Sequence, residues 1–384
     1  MKFFHLSDLH IGLRLMNRDL LEDQTYILEQ ITALAGEIQP DAVVIAGDIY
    51  DKAVPSGEAV ALFDRFIEGL VDAIPKGEIM IISGNHDSGS RLNCFRGVLS
   101  KQRVHMIGLA PQIPGDFIEK VTLEDTYGKV NFYLLPFVRP SMVKGITEAG
   151  GQEGALSYNE TVKFLINREN INEEERNVIV SHQFYLPSGK TAEDVERMDS
   201  EVRTVGNIDQ VDAAVLAPFD YGALGHIHKP MKVGSDYFRY CGTPLACSVS
   251  EAGQEKGVVE VDMGPKGEIK VSVIPLKPLR QVRVIQGTLE EVLQASCDDY
   301  VTVLLTDPVD LDVLDMQDRL RQAFPHLLEI RRKTWRQADY QAVYEPAAAL
   351  DPFELCCSFL KDMTDEEKDI LKDVINRIQE VEGL

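Results

Sequence analysis

The sequence contains no apolar run approaching the roughly 20 residues that a membrane-spanning helix needs. Its first residues also lack the apolar core and small-residue cleavage site of a signal peptide. Only six of the 384 residues are cysteines, and they form neither a Cys-x-x-Cys pair nor a zinc-binding pattern. We therefore expect a cytoplasmic protein with no membrane segment, whose cysteines are small core residues or free thiols.

Positive charge is scarce as well. The chain has 39 lysines and arginines against 62 aspartates and glutamates, which gives a formal net charge of −23 at pH 7. Such a chain attracts nucleic acid weakly unless positive charge is concentrated at a local site. Hydrophobic residues make up 44% of the sequence, which is typical of a folded protein, and the length predicts two or more domains.

Short apolar runs alternate with amphipathic stretches in the first part of the chain, which predicts an α/β fold. Helices are predicted over 19–38, 56–72 and 158–168. Buried strands are predicted at the N-terminus and at 41–46, 79–82, 130–135, 177–182 and from 221. Three later strand-like segments are interpreted as a second sheet packed on the first: 238–241, 257–262 and 269–275.

Five of the predicted strands end at side chains that can bind a metal. Five of the eight histidines lie at these strand ends, although a single histidine in a turn is more often structural. The complete set is Asp8 and His10, Asp48, Asn85 and His86, His182, and His226 and His228. Because the carboxyl ends of strands in an α/β fold border a common crevice, we expect these side chains to face one site.

The types of side chain indicate the chemistry. Mixed oxygen and imidazole ligands without thiolates suit manganese, iron, zinc or cobalt. About eight ligands exceed what one ion accepts, so two metal ions sharing a carboxylate are predicted. A metal pair ~3.5–4 Å apart clamps the attacking and leaving oxygens of an in-line displacement, which is phosphoester chemistry.

The motifs HLSDLHIG, AGDIYD, SGNHD, SHQ and GHIHKP, in this order, resemble the five motifs of the calcineurin-like metallophosphoesterases. The resemblance implies a four-layer sandwich of two packed sheets flanked by helices. GDIYDKAVPS at 47–56, YCGTPL at 240–245 and the C-terminal architecture resemble a narrower group. These are the nuclease subunits of the bacterial counterpart of the eukaryotic double-strand-break repair nuclease, so a DNA exonuclease and endonuclease is implied.

The family also implies a role for each motif residue. Asp8, His10 and His228 would hold the first metal ion; Asn85, His182 and His226 would hold the second; Asp48 would bridge them. His86, partnered by Asp51, would face the scissile phosphate. Manganese is the implied metal. Lys52 stands where arginine is common and Cys241 where serine is common, and neither departure changes the ligand set.

The predicted domains are a nuclease domain over 1–276, a small α/β capping domain over 277–340 and a C-terminal helical segment over 341–384. The resemblance implies a homodimer that acts on DNA together with a coiled-coil ATPase, bound through the C-terminal helices. The apolar stripe of those helices has a second interpretation, namely that it covers the protein's own core.

A basic stretch begins within the last predicted strand of the capping domain, at 327–333, and continues beyond it. It comprises Arg331, Arg332, Lys333, Trp335 and Arg336. These residues are candidates for contacting DNA phosphates, with the tryptophan stacking on a base. The alternative is a charged strand edge with the tryptophan in the core.

Two other functions compete with a nuclease. A phosphoprotein or small-molecule phosphatase could use the same scaffold, but such enzymes typically carry GD-x-x-DRG, and here Asp51 is followed by Lys52-Ala53. A scaffold that bridges DNA or partners without binding metal is the second alternative. The intact ligand set argues against it.

Overall fold

The structure is a computed structural model that describes residues 1–151, 154, 156–194, 198–201, 208–307, 313–332, 353, 356, 357, 360 and 363–382. Within these ranges, no helix combines the length and apolar character that a membrane span requires. One compact unit consists of Met1–Glu201 with Asp209–Leu279, and a second contains the described residues from Arg280 onward.

The three helices predicted at 19–38, 56–72 and 158–168 lie close to those positions. The helices of the described residues are α1 (Leu21–Ile38), α2 (Gly57–Ala73), α3 (Gly89–Leu92), α4 (Arg96–Leu99), α5 (Lys144–Ala149), α6 (Tyr158–Arg168), α7 (Leu289–Leu293), α8 (Val313–Ala323) and α9 (Asp365–Glu382). Local capping sets several helix starts. Ser56 accepts a hydrogen bond from the N–H of Ala59 before α2, and Ser157 forms a capping box with Glu160 before α6.

The strands of the first unit begin with β1 (Lys2–Leu6), β2 (Arg14–Leu15), β3 (Arg18–Asp19), β4 (Ala42–Ala46), β5 (Glu78–Ile82), β6 (Val104–Ile107), β7 (Glu119–Asp125) and β8 (Gly128–Leu135). They continue with β9 (Arg176–His182), β10 (Phe184–Leu186), β11 (Gln210–Asp212), β12 (Tyr221–Gly225), β13 (Met231–Val233), β14 (Ser235–Tyr240), β15 (Gly257–Met263) and β16 (Ile269–Pro275). The second unit adds β17 (Val282–Gly287), β18 (Tyr300–Leu305) and β19 (Leu327–Arg332).

Sheet 1 has the strand order β16-β15-β1-β4-β5-β6, in which β1, β4, β5 and β6 are parallel, β15 pairs antiparallel with β1, and β16 pairs antiparallel with β15. The prediction that 257–262 and 269–275 belong to the second sheet is therefore wrong. Val261 pairs with Phe3, and both are buried in the apolar layer between the sheets. Returning beside β1 lets β15 bury its apolar face in that layer.

Sheet 2 has the order β13-β14-β12-β9-β8-β7, so the predicted strand at 238–241 does lie in the second sheet. The two sheets share one core, in which the rings of Phe3 and Phe132 meet edge to face at 5.3 Å. Helix α6 packs Val162 and Leu165 against the outer face of sheet 2. Because β4 also buries the side chains that point away from the shared core, the α1–α2 pair covers the outer face of sheet 1. The predicted four-layer sandwich is confirmed.

The second unit alternates strands and helices as predicted, as far as Arg332. Its parallel sheet has the order β17-β18-β19, and α7 and α8 close a small core with it that includes Leu289, Val301 and Leu320. Further along, a capping box precedes α9, since Thr364 and Glu367 exchange hydrogen bonds of 2.8 and 3.3 Å.

Candidate metal centre

The candidate site lies where the carboxyl ends of two sets of adjacent strands meet. In sheet 1, the loops after β1, β4 and β5 carry Asp8 and His10, Asp48, and Asn85 and His86. In sheet 2, β9 ends at His182, and the loop after β12 carries His226 and His228. All seven predicted metal ligands converge in this place.

Asp8, His10 and His228 form the first group, with one ligand atom from each lying within 4.8 Å of the others. The Nε2 atoms of His10 and His228 face each other at 3.1 Å. Asp8 accepts a hydrogen bond of 3.1 Å from the main-chain N–H of His226, which ties the β1 loop to the β12 loop. The predicted first metal set therefore lies together.

Asp48, Asn85, His182 and His226 form the second group. Nε2 of His182 lies 3.2 Å from Oδ2 of Asp48 and 3.1 Å from Oδ1 of Asn85. Nδ1 of His226 lies 2.8 Å from the same Asn85 oxygen. Asp48 reaches both groups, since its Oδ2 is also 3.8 Å from Nε2 of His10.

His86 is held differently from these residues. Its main-chain N–H donates to Oδ1 of Asp48 at 2.8 Å, and its Nδ1 donates to the main-chain carbonyl of Asp51 at 2.9 Å. The contact between His86 and Asp51 is therefore made through the main-chain carbonyl of Asp51 and not through its side-chain carboxylate. The Asp51 carboxyl still interacts with His86 through charge, while burial raises the pKa of Asp51 overall.

The backbone around the site is locally strained. Asp8, His10, Asp48 and His226 all have positive φ angles, of 53°, 43°, 49° and 104°. Non-glycine residues rarely adopt this region, and such strain collects at functional sites. Gly84 allows the close approach, because a Cβ there would lie 2.1 Å from Oδ1 of Asp48.

The buried carboxylates and imidazoles of the site shift one another's pKa values. Asp8 and Asp48 are only 0% and 2% exposed. Burial raises the pKa of the Asp8 carboxyl. Burial acts the same way on Asp48, but the imidazoles of His182 and His86 outweigh it and hold the pKa of Asp48 well below its ordinary value. Burial lowers the pKa of His182, yet the Asp48 carboxylate raises it to about 9 overall.

These residues fit divalent cations. Nδ1 of His182 donates to the carbonyl of Ala46 at 2.7 Å, so the neutral ring presents a bare Nε2 to the cluster. Nδ1 of His10 is buried and has no hydrogen-bond partner among the described residues. The buried carboxylates of Asp8 and Asp48 favour the protonated form of the His182 ring when no cation is bound. The same negative charge favours a bound divalent cation.

Two functional positions have weak or no signal in the sequence. Asp87 accepts hydrogen bonds from the N–H groups of Ile49, Tyr50 and Gly84, and so joins the loops after β4 and β5. Its place in the SGNHD motif was the available signal. Glu251 is buried beside His228 and lies outside all five motifs, so no pattern pointed to it.

The basic stretch is only partly described. Arg331 and Arg332 are exposed at the end of β19, and Arg331 pairs with Glu329 at 2.7 Å. Lys333, Trp335 and Arg336 lie outside the described residues, so contact with DNA stays a prediction. On α9, Ile370 and Val374 are 64% and 45% exposed, which leaves part of the apolar stripe uncovered.

Comparison with known proteins gives matches along the chain. Residues 1–230 match the calcineurin-like phosphoesterase family model, and residues 276–364 match the model of the type 5 capsule protein repressor C-terminal domain. The chain is 30% identical to the SbcD component of the SbcCD nuclease from Staphylococcus epidermidis, over 100% of both chains.

Two solved structures align with the chain at low identity. A dimetal phosphatase from Danio rerio aligns at a TM-score of 0.42 and 13% identity, covering 71% of this chain and 95% of that chain. GAP50, the anchor in the inner membrane complex of Plasmodium, aligns at a TM-score of 0.39 and 12% identity, covering 86% and 96%.

Proposed function

The chain belongs to the calcineurin-like phosphoesterase family, and we propose that it is a metal-dependent DNA nuclease subunit of the SbcD type. It would cleave phosphodiester bonds at DNA ends and hairpins, as a double-strand exonuclease and a single-strand endonuclease. The main support is the convergence of ligands from both sheets, represented by the 3.2 Å approach of His182 to Asp48. The full-length similarity to a nuclease component supports a nucleic acid as the substrate, and we propose DNA.

Two divalent cations, preferably manganese, would be held at this site. Asp8, His10 and His228 would bind the first, Asn85, His182 and His226 the second, and Asp48 both. When bound, the cations would supply Lewis-acid activation of the phosphate and of the attacking water. The cations would also place positive charge at the site. A polyanion could then bind there although the chain is acidic, because negative charge beyond the Debye length of ~8 Å is largely screened.

His86 is proposed as the residue that protonates or stabilises the leaving oxygen. Its Nδ1–H is committed to the Asp51 carbonyl at 2.9 Å, so Nε2 is the ring nitrogen left to carry or release a proton. An imidazole in this position can act as a positioned general acid.

The remaining proposals concern the assembly. We propose a homodimer that works in the cytoplasm with an SbcC-type ATPase carrying a coiled coil. The C-terminal segment would bind that ATPase, and the partly exposed α9 stripe at Ile370 and Val374 supports this. The domain limits at 276 and 340, and DNA contact by the basic stretch from Arg331, remain part of the proposal.

A nuclease assay tests the function directly. Linear duplex, hairpin and single-stranded DNA would be incubated with the protein and Mn²⁺ or Mg²⁺, with and without the ATPase partner and ATP. We expect Mn²⁺-dependent cleavage, with duplex cleavage requiring the partner and ATP. A phosphate monoester serves as the comparison substrate. Rapid hydrolysis of the monoester with no DNA cleavage in any combination would contradict the proposal and support a phosphatase.

A further inference from the structure

His228 is held by a buried network of side chains outside the five motifs. Its main-chain N–H donates to Oε1 of Glu201 at 3.0 Å. Its carbonyl accepts from the N–H of Thr243 at 3.2 Å and from Nζ of Lys256 at 3.3 Å. Its ring Nδ1 lies 2.7 Å from Oγ of Ser200. The main chain and the ring of this residue are therefore both restrained.

Glu251 lies at the centre of the network and is 1% exposed. One oxygen, Oε2, accepts from Nζ of Lys256 at 2.6 Å and from Oγ1 of Thr243 at 2.9 Å. The other, Oε1, accepts from Oγ of Ser200 at 2.8 Å. The Lys256 ammonium pairs with the carboxylate at 2.6 Å, so the buried Glu251 stays ionised and can accept the hydrogen bond from Ser200.

The directions of these hydrogen bonds determine where the ring proton lies. A serine hydroxyl has one proton, and that of Ser200 is given to Glu251. Oγ of Ser200 must therefore accept from Nδ1 of His228, which places the ring proton on Nδ1. The neutral ring then presents an unprotonated Nε2 toward His10 and the cluster.

We propose that Glu251, acting through Ser200, is a positioning residue that keeps His228 in the tautomer and orientation needed to bind metal. This inference rests on the proposed function, because it assumes that His228 binds a divalent cation. Outer partners of this kind typically contribute about 10- to 100-fold to metal affinity.

Replacing Glu251 by glutamine changes the proton directions without changing the shape of the side chain. Lys256 has donors only, so the amide oxygen must stay beside it and the amide NH₂ must face Ser200. Ser200 then accepts from the amide and turns its own proton toward Nδ1 of His228. With the hydroxyl donating to Nδ1, the ring proton lies on Nε2, the atom that would bind metal.

The test is calorimetric titration of metal-stripped, full-length protein with MnCl₂. We expect wild-type protein to bind two ions, and Glu251→Gln to bind one of them about 10- to 100-fold more weakly while the other is unchanged. Asp220→Asn is the matched control. Asp220 also pairs with a lysine, Lys266 at 2.9 Å, but lies before β12, away from the strand ends that form the site. It should keep wild-type affinity for both ions.

A second pair of variants separates positioning from folding. Ser200→Ala removes the relay and should weaken the same ion, whereas Ser200→Thr keeps the hydroxyl and should restore its affinity. Wild-type affinity for both ions in Glu251→Gln, or in Ser200→Ala if the first variant does not fold, would overturn the inference and leave the proposed function standing. Failure of the wild-type protein to bind any Mn²⁺ would overturn both.

Discussion

Nε2 of His182 lies 3.2 Å from Oδ2 of Asp48, although the two residues end strands of different sheets. His182 also donates through Nδ1 to the carbonyl of Ala46, the last residue of β4. The candidate metal centre is therefore also a contact between the two sheets. Changes at this contact should affect metal binding before they affect the fold, because the apolar core between the sheets lies elsewhere.

Replacing His182 by alanine should remove one ligand of the second metal ion. Asn85 and His226 alone make a poor site. Losing a residue that only orients a ligand typically costs about 10- to 100-fold in metal affinity, and the loss of His182 should lower Mn²⁺ affinity at this position by more than that. Nuclease activity should fall with it. Elemental analysis of the purified variant and calorimetric titration with Mn²⁺ measure the effect.

His105→Ala is the matched control for this experiment. His105 lies in β6 and pairs with Glu78 at 2.8 Å, outside the metal groups. It should keep full metal content. Full metal content and full activity in His182→Ala would contradict the assignment of His182 as a ligand.

Replacing His86 by alanine should separate proton transfer from metal binding. The variant should keep both ions and bind DNA nearly normally, because its side-chain hydrogen bond is to the Asp51 carbonyl. Turnover should fall by about 10²–10⁴, the usual contribution of one positioned acid. Metal stoichiometry and single-turnover cleavage at saturating enzyme are the measurements.

Two results would refute this role for His86. Loss of one metal ion in the variant would show that His86 is itself a ligand. The structure makes this a real alternative, because His86 lies close to His10 and Asp48. Unchanged cleavage would make it structural.

Deleting residues 351–384 should separate nuclease chemistry from partner binding. The truncated chain keeps every proposed ligand, so Mn²⁺-dependent cleavage of single-stranded DNA should persist. Association with the ATPase and ATP-dependent duplex cleavage should be lost. A less drastic variant, Ile370→Glu with Val374→Glu, charges the exposed part of the α9 stripe and should weaken association in the same way.

Co-purification of the truncated chain with the ATPase would rule out docking through this segment. Asp369→Lys, a charge change at a position 78% exposed on the same helix, is the control and should retain binding.

The stability of the first unit should depend on pH through His5. Burial lowers the pKa of His5 from 6.5 to about 3, while the hydrogen bond to the Leu224 carbonyl opposes the shift. The unfolded chain therefore binds a proton below pH 6.5 that the folded chain does not. His5 leaves stability unaffected above pH 6.5 and lowers it progressively as pH falls towards 3. Between pH 7 and pH 5 the loss should be about 2 kcal/mol.

Urea unfolding of metal-free protein, followed by circular dichroism at pH 7 and pH 5, measures this effect. The glutamine in His5→Gln does not titrate. Between pH 7 and pH 5, the free energy of unfolding of this variant should therefore fall by about 2 kcal/mol less than that of the wild-type protein. Equal pH dependence in the two proteins would show that His5 does not titrate as its burial indicates.

Much of the fold could be predicted because the signals are local. The limits of α1 and α2 follow from apolar spacing, with capping by Ser56 at the start of α2, and the buried strands β4 and β5 follow from runs of β-branched and apolar residues. The strand-end clusters at Asp8, Asp48 and Asn85 could likewise be found, since each follows directly after such a run. Their roles came from resemblance to a family rather than from spacing.

The sequence by itself determined which strands form and which polar side chains follow them, because strand propensity and turn chemistry act over a few residues. Only the tertiary structure decided that β15 returns beside β1, and that Glu251 and Ser200 reach His228. Strand pairing depends on which apolar faces can be buried together, and residues distant in the chain meet only after that choice has been made.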